Sequence, residues 1–175
     1  MSDRLQVSKT KLDGVLLIKP PTMFEDFRGT YIELYNQQLY HQAGITVDFI
    51  QDDISTSSRN VLRGIHGDGE TWKLISCLYG KFYVVVVNYD RESPQCGQWD
   101  SFVLSDRNRT QVLVPPKFGN GHLILSEEAV FHYKQSTDYN RDSQFTILWN
   151  DPKLNVWWPV KNPILSRRDE GTEDV

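Results

Sequence analysis

About ten short runs rich in Val, Ile, Tyr, Phe and Trp, each of strand length and bounded by turn residues, constrain this chain more than anything else in it. In order they are GVLLIK, GTYIELY, VDFIQDD, WKLISCLYG, KFYVVVVNYD, QWDSFVLS, TQVLVPP, GHLILS, AVFHYKQS and FTILWN. Helical spacing is visible only in NQQLYHQAG, just ahead of Gly44, with a weaker sign near the C-terminus. Short strands at regular intervals bury their apolar faces by stacking sheets, so the pattern predicts an all-β sandwich, jelly roll or closed barrel. Val84 to Val87 is apolar on both faces and reads as a central strand covered on both sides, whereas Thr30 to Tyr35 alternates and reads as an edge. The 175 residues suffice for one domain whose core spans about 14–169, and the acidic tail EGTEDV, 170–175, lacks apolar anchors and is expected to fray.

Composition removes several classes of partner. With 19 Lys plus Arg against 23 Asp plus Glu and no basic cluster, the surface offers nothing that would favour nucleic acid. No apolar run approaches the roughly 20 residues needed to cross a bilayer, so no membrane partner is expected. The opening MSDRLQVSKTKLDG lacks the apolar stretch of a signal peptide, from which a cytoplasmic location follows. Cys77 and Cys96 have no paired spacing, and Cys77, inside KLISCLYG, reads as a reduced core thiol.

Chemistry needs polar groups where a strand-built core would not otherwise want them. The segment VLRGIHGDGETWKL supplies Arg63, His66, Asp68, Glu70 and Lys73 in one stretch, and alternation through its glycine bend allows Arg63, His66 and Lys73 to face the mouth of a barrel. The competing reading is a solvated loop with an incidental histidine. A second cluster, AVFHYKQSTDYN, places Tyr133 and Tyr139 around Lys134 and Thr137. In a third, PPKFGNGHLILS, the Gly-Asn-Gly trio turns the backbone and delivers His122, which reads equally as a hydrogen-bonded core residue. There is no dinucleotide fingerprint, phosphate loop, His-Glu-x-x-His or Gly-x-Ser-x-Gly. His66, Glu70 and His122 leave a two-histidine, one-carboxylate metal site open, although the His-x-His pair of metal-binding cupins is absent because Gly67 and Asp68 follow His66.

Taken in order, EDFRGTYIELYN, FIQDDISTSSRNVLRGIHGD, WKLISCLYGKFYVVVVNYDRESPQCGQW, LSDRNRTQVLVPPKFGNGHLILSEEAV, HYKQSTDY, ILWNDPKLNVWWP and PILSRRD resemble the dTDP-4-keto-6-deoxyglucose 3,5-epimerase family, from about Gly14 to Asp169. The resemblance implies a cupin-type jelly roll with a few short helices, a homodimer that exchanges N-terminal strands, a GDP- or dTDP-linked 4-keto sugar as partner, and neither metal nor redox cofactor. It also implies roles. His66 matches the general base, Asp169 the carboxylate that orients it, Lys73 the lysine beside the keto oxygen and Tyr133 the general acid on the opposite ring face. Arg28, Tyr31 and Glu33 match substrate contacts that the family supplies across its dimer, and Gln51, Arg63 and Tyr139 match further contacts, with Asp53, Asn120, His122 and Arg168 grouped beside them.

The implied set suits the chemistry. Removing a weakly acidic hydrogen next to a ketone builds charge on the ketone oxygen, so a base, a donor to the enolate and an acid are needed, and no electron carrier. Inversion requires the proton to leave one ring face and return on the other. The usual His-Gly-Phe of the family reads Asn120-Gly121-His122, the Asn of its Gln-Asp-Asn is Asp53, and the aromatic-Gln pair after the base is Gly67-Asp68. These departures point to the branch that acts on GDP-linked 4-keto heptoses in surface-polysaccharide synthesis, with Gly67 making room for a longer exocyclic arm; the alternative is the dTDP-rhamnose enzyme. Two other readings remain beside these: a metal-dependent cupin, and a sugar-nucleotide binding protein without catalysis.

Overall fold

The computed structural model describes residues 5–21 and 23–172. In chain order the strands are β1 Gln6–Lys9, β2 Leu16–Lys19, β3 Met23–Asp26, β4 Gly29–Ile32, β5 Gln51–Ser58, β6 Leu62–Gly67, β7 Lys73–Tyr79, β8 Lys81–Asn88, β9 Trp99–Ser105, β10 Gln111–Val114, β11 Phe118–Ile124, β12 Glu128–Gln135 and β13 Phe145–Thr146. Helix α1, Gln37–Gln42, follows β4, and α2, Arg167–Glu170, follows β13. The strands form a six-stranded sheet, β1-β2-β10-β7-β12-β5, a five-stranded sheet, β13-β6-β11-β8-β9, and a separate ribbon, β3-β4, with every strand pairing antiparallel. This is a nearly all-β jelly roll of the cupin type.

The two sheets meet over a core in which Ile75, Val112 and Phe131 of one interlock with Phe82, Val84, Val86 and Leu104 of the other. The backs of both sheets are covered as well. The C-terminal segment lays Ile147, Trp158 and Leu165 over Leu62, Ile65, Val85 and Val87, and the α1 region packs Tyr40 and Ile45 on Ile18, Leu74 and Leu113. The four valines of β8 are therefore divided between two cores, which is why that run carries no polar face. Asn36 caps α1 by accepting from the Leu39 N–H, and Tyr40, buried against the sheet, donates its hydroxyl to Gln111. Cys77 is buried and unpaired, with burial pushing its thiol up to about 12. The β3-β4 ribbon lies in the open, with Phe27 99% exposed and Phe24 and Tyr31 exposed beside it.

Several boundaries differ from the sequence reading. Strands β1, β3 and β6 fall outside the predicted runs, and FTILWN contributes only the two residues of β13. VDFIQDD enters the ladder only at Gln51 and continues to Ser58. The Gly-Asn-Gly trio is not a turn before a strand but part of β11 itself, which starts at Phe118. Tertiary pairing overrides local propensity in LRGIHG and FGNG, where each strand supplies the other's hydrogen bonds. Residues 173–175 of the acidic tail lie outside the described residues. No helix among the described residues is long and apolar enough to cross a membrane.

Candidate active site

A cavity of about 390 Å³ opens between the sheets, walled by β5, β6, β7, β11 and β12 and closed at one side by residues 139–144 and α2. His66, Lys73, Tyr133 and Asp169 all line it, together with Asp53, Arg63, Asn120, His122, Tyr139 and Arg168.

Strand β6 brings two of these side chains in through an irregularity. Gly64 has φ of +111°, and a Cβ there would fall 2.6 Å from Gly121 Cα and 2.7 Å from the Asn120 carbonyl oxygen. Two glycines thus allow β6 and β11 to approach at the register shift between Asn120 and His122. Strict alternation would put residues 63 and 66 on opposite faces; the irregularity lets Arg63 and His66 share the cavity while Ile65 turns into the core behind.

His66 Nε2 lies 2.8 Å from Asp169 Oδ1. Asp169 is 3% exposed and held at both oxygens: the Gly64 N–H donates to Oδ1 at 3.2 Å, and the Ser166 hydroxyl to Oδ2 at 2.8 Å. Burial alone would push this carboxyl up, but His66, Ser166 and the Gly64 N–H together hold it below the usual carboxylate range. It therefore stays ionised.

Lys73 is 6% exposed, with Asp68 Oδ2 3.9 Å from its Nζ. Burial lowers its pKa; Asp68 opposes that shift, and the nearby Arg168 adds to it. Asp68 also caps the following turn, accepting from the Glu70 and Thr71 N–H groups. Tyr133 projects from β12 against Phe131, and burial, reinforced by Asp53 and Tyr139, pushes its phenol up to about 12. Asp53 accepts from Gln51 Nε2 at 2.7 Å and Gln135 Nε2 at 2.6 Å, while the Tyr139 N–H donates to Gln51 Oε1. Gln51 thus supports the rim rather than lining the cavity. Arg63 donates to Ser57 Oγ, and Arg168 to Thr146 Oγ1 and Gln144 Oε1. His122, 4% exposed and with its Nε2 unpaired among the described residues, is pushed down to about 3 by burial, with Arg63 and His66 adding and Asp169 opposing. The Asn120 side-chain oxygen is likewise buried without a partner among the described residues.

Arg28, Tyr31 and Glu33 are not brought to the cavity within one chain. Arg28 is folded back on Asp26, with Nη2 2.6 Å from Oδ2, on the exposed ribbon. The metal reading is not supported by geometry: Glu70 is exposed outside the cavity lining, and among the described residues no three His, Cys, Asp or Glu converge as ligands would. The room attributed to Gly67 is also corrected. A Cβ there would meet the Phe118 carbonyl oxygen at 2.3 Å and the Phe145 ring at 2.5 Å, so this glycine serves the close approach of β6 to β11 and β13, not the cavity. Sequence reasoning missed Ser166, Arg141 and Arg167, which also line the cavity. Only Ser166 carried a signal, since Ser-x-x-Asp before a short helix is an N-terminal capping pattern.

A family model described as dTDP-4-dehydrorhamnose 3,5-epimerase matches residues 9–175. The chain is 40% identical over 168 residues to a dTDP-4-dehydrorhamnose 3,5-epimerase of Salmonella typhimurium, covering 93% of this chain and 91% of that protein. It is 38% identical over 169 residues to one of Shigella flexneri, covering 94% and 93%. Among solved structures, a dTDP-6-deoxy-D-glucose-3,5-epimerase from Legionella pneumophila in complex with dTDP-4-keto-L-rhamnose superposes with a TM-score of 0.90 at 34% identity, covering 96% of this chain and 91% of that one.

Proposed function

The chain belongs to the dTDP-4-dehydrorhamnose 3,5-epimerase family, and from that premise we propose that this isomerase inverts C3 and C5 of a dTDP-linked 4-keto-6-deoxy sugar. The observation that carries the reading is that His66, backed by Asp169, shares one cavity with Tyr133 and Lys73.

In this mechanism His66 takes the proton next to the ketone through the ring nitrogen that does not face Asp169. The ionised Asp169 steadies the imidazolium that forms. The Lys73 ammonium, desolvated in the cavity wall, stabilises the charge that collects on the ketone oxygen. Tyr133 returns a proton to the other ring face, and its raised pKa keeps the phenol loaded at neutral pH. His122 is the wrong histidine for the base, because a site that holds its imidazolium pKa near 3 disfavours the protonated product of the abstraction. Arg28, Tyr31 and Glu33 join the site from a second copy, in a homodimer that exchanges the N-terminal ribbon; the exposed aromatic face of β3-β4 supports this arrangement.

Incubation with dTDP-4-keto-6-deoxyglucose in deuterated water tests the reading: deuterium should enter at C3 and C5, and His66→Ala should stop it. GDP-4-keto heptose is the comparison substrate. The named relatives favour dTDP, and the size argument at Gly67 no longer favours the heptose. Preferential labelling of the heptose would overturn the dTDP reading.

A further inference from the structure

We propose that Ser166 is a positioning residue for the epimerisation, acting through the Asp169 carboxylate on His66. The inference rests on the reading above that His66 and Asp169 act together.

Ser166 is the N-cap of α2 and faces two ways. Its Oγ accepts from the Asp169 backbone N–H at 3.2 Å, which starts the helix, and its hydroxyl donates to Asp169 Oδ2 at 2.8 Å. In an ordinary capping box the acid three residues on reaches back to the N-cap N–H. Here that acid is turned inward, and its other oxygen faces His66. A carboxylate on a terminal torsion rotates in a broad well unless both oxygens are tied. Ser166 ties Oδ2, and the Gly64 N–H, from the strand that carries His66, ties Oδ1. Without the hydroxyl, Oδ2 would lose its hydrogen bond in a nearly water-free position, and the carboxylate plane would be set by one weaker bond. The 2.8 Å contact between Asp169 Oδ1 and His66 Nε2 depends on that plane being held.

Capping and positioning separate by substitution. Ser166→Gly keeps an acceptable N-cap but has no hydroxyl, Ser166→Ala loses both functions, and Ser166→Thr keeps both. With dTDP-4-keto-6-deoxyglucose as substrate, Gly and Ala are expected to lower kcat about tenfold with KM within twofold, and Thr to restore it. Solvent-deuterium exchange then repeats the comparison in an Asp169→Asn background, where adding Ser166→Gly should cost nothing more. Full kcat in the Gly variant, an equal fractional loss from Ser166→Gly in the Asp169→Asn background and in the parent, or a Thr variant as slow as Ala would overturn the proposal. Asp169→Asn alone separates the two claims: wild-type activity there would remove the His66–Asp169 reading itself, whereas a slow Asp169→Asn with an unaffected Ser166→Gly would remove only the role of Ser166.

Discussion

His122 lies flat on Phe131, ring centroids 3.9 Å apart and planes 8° from parallel, with its Nε2 buried and, among the described residues, unpaired. Such a site favours the uncharged imidazole. The folded-state pKa near 3 lies below the ordinary 6.5, so between those values the unfolded chain binds a proton that the folded chain does not. This contribution to stability is complete above about pH 6.5 and is lost as pH falls toward 3. Urea melts of His122→Phe, compared with the parent between pH 6 and 4, should show a flatter dependence, by up to one proton or ~1.4 kcal/mol per pH unit. Parallel curves would show that this histidine is not held neutral.

The two ring faces are expected to separate in Tyr133→Phe. Removing the phenol leaves His66 and Lys73 in place, so the enolate still forms and solvent deuterium still enters. Inversion should slow on the order of 100-fold, the scale of a lost general acid. NMR of the labelled sugar checks this, and a parallel loss of exchange and inversion would show that Tyr133 is needed before the enolate forms.

His66→Ala should be more severe, losing about a thousandfold in deuterium exchange as well as in turnover, because the other imidazole in the cavity lining, His122, is held near 3 and cannot take over. Unchanged melting behaviour would exclude misfolding as the cause.

At high pH, Lys73 and not Tyr133 should end activity. Burial lowers the lysine from its ordinary value of 10.5, while the tyrosine is raised to about 12, so the ammonium loses its proton first. The alkaline limb of the kcat profile should then fall below 10.5 and move upward in Lys73→Arg, whose guanidinium does not titrate in that range. A limb that stays in place in the Arg variant would assign it elsewhere.

Gly67→Ala is a test of packing. The added methyl has the Phe118 carbonyl and the Phe145 ring in its way, and overpacking of this kind costs ~2 kcal/mol or more. The expected readout is a Tm lower by about 4–8 °C, with the ratio of heptose to 6-deoxyhexose turnover unchanged. A folded variant of parental Tm that changed that ratio would return Gly67 to the substrate.

What can be read from residues alone follows burial. Val84 to Val87 announces a doubly covered strand because alternate valines meet opposite cores, and NQQLYHQAG announces α1 through its spacing ahead of Gly44. LRGIHG is illegible as a strand: its glycines serve the close approach to β11, a partner more than fifty residues away, and Arg63 and His66 face the cavity. The cluster Arg63, His66 and Lys73 is visible as a local concentration of polar groups. Asp169 is not, since nothing local links it to His66, and it enters only through the resemblance carried by PILSRRD. Ser166 escapes because its use depends on which way one carboxylate turns.

The order in which the cavity is assembled along the chain has a consequence for synthesis. All thirteen described strands precede residue 147, whereas the carboxylate beside His66 arrives on the short helix α2. A nascent polypeptide halted before Ser166 would already contain every one of those strands and yet hold an imidazole with no anion beside it. On the roles proposed for His66 and Asp169, translation of α2 is the step that completes the base, and a fragment released before it is expected to show no solvent-deuterium exchange.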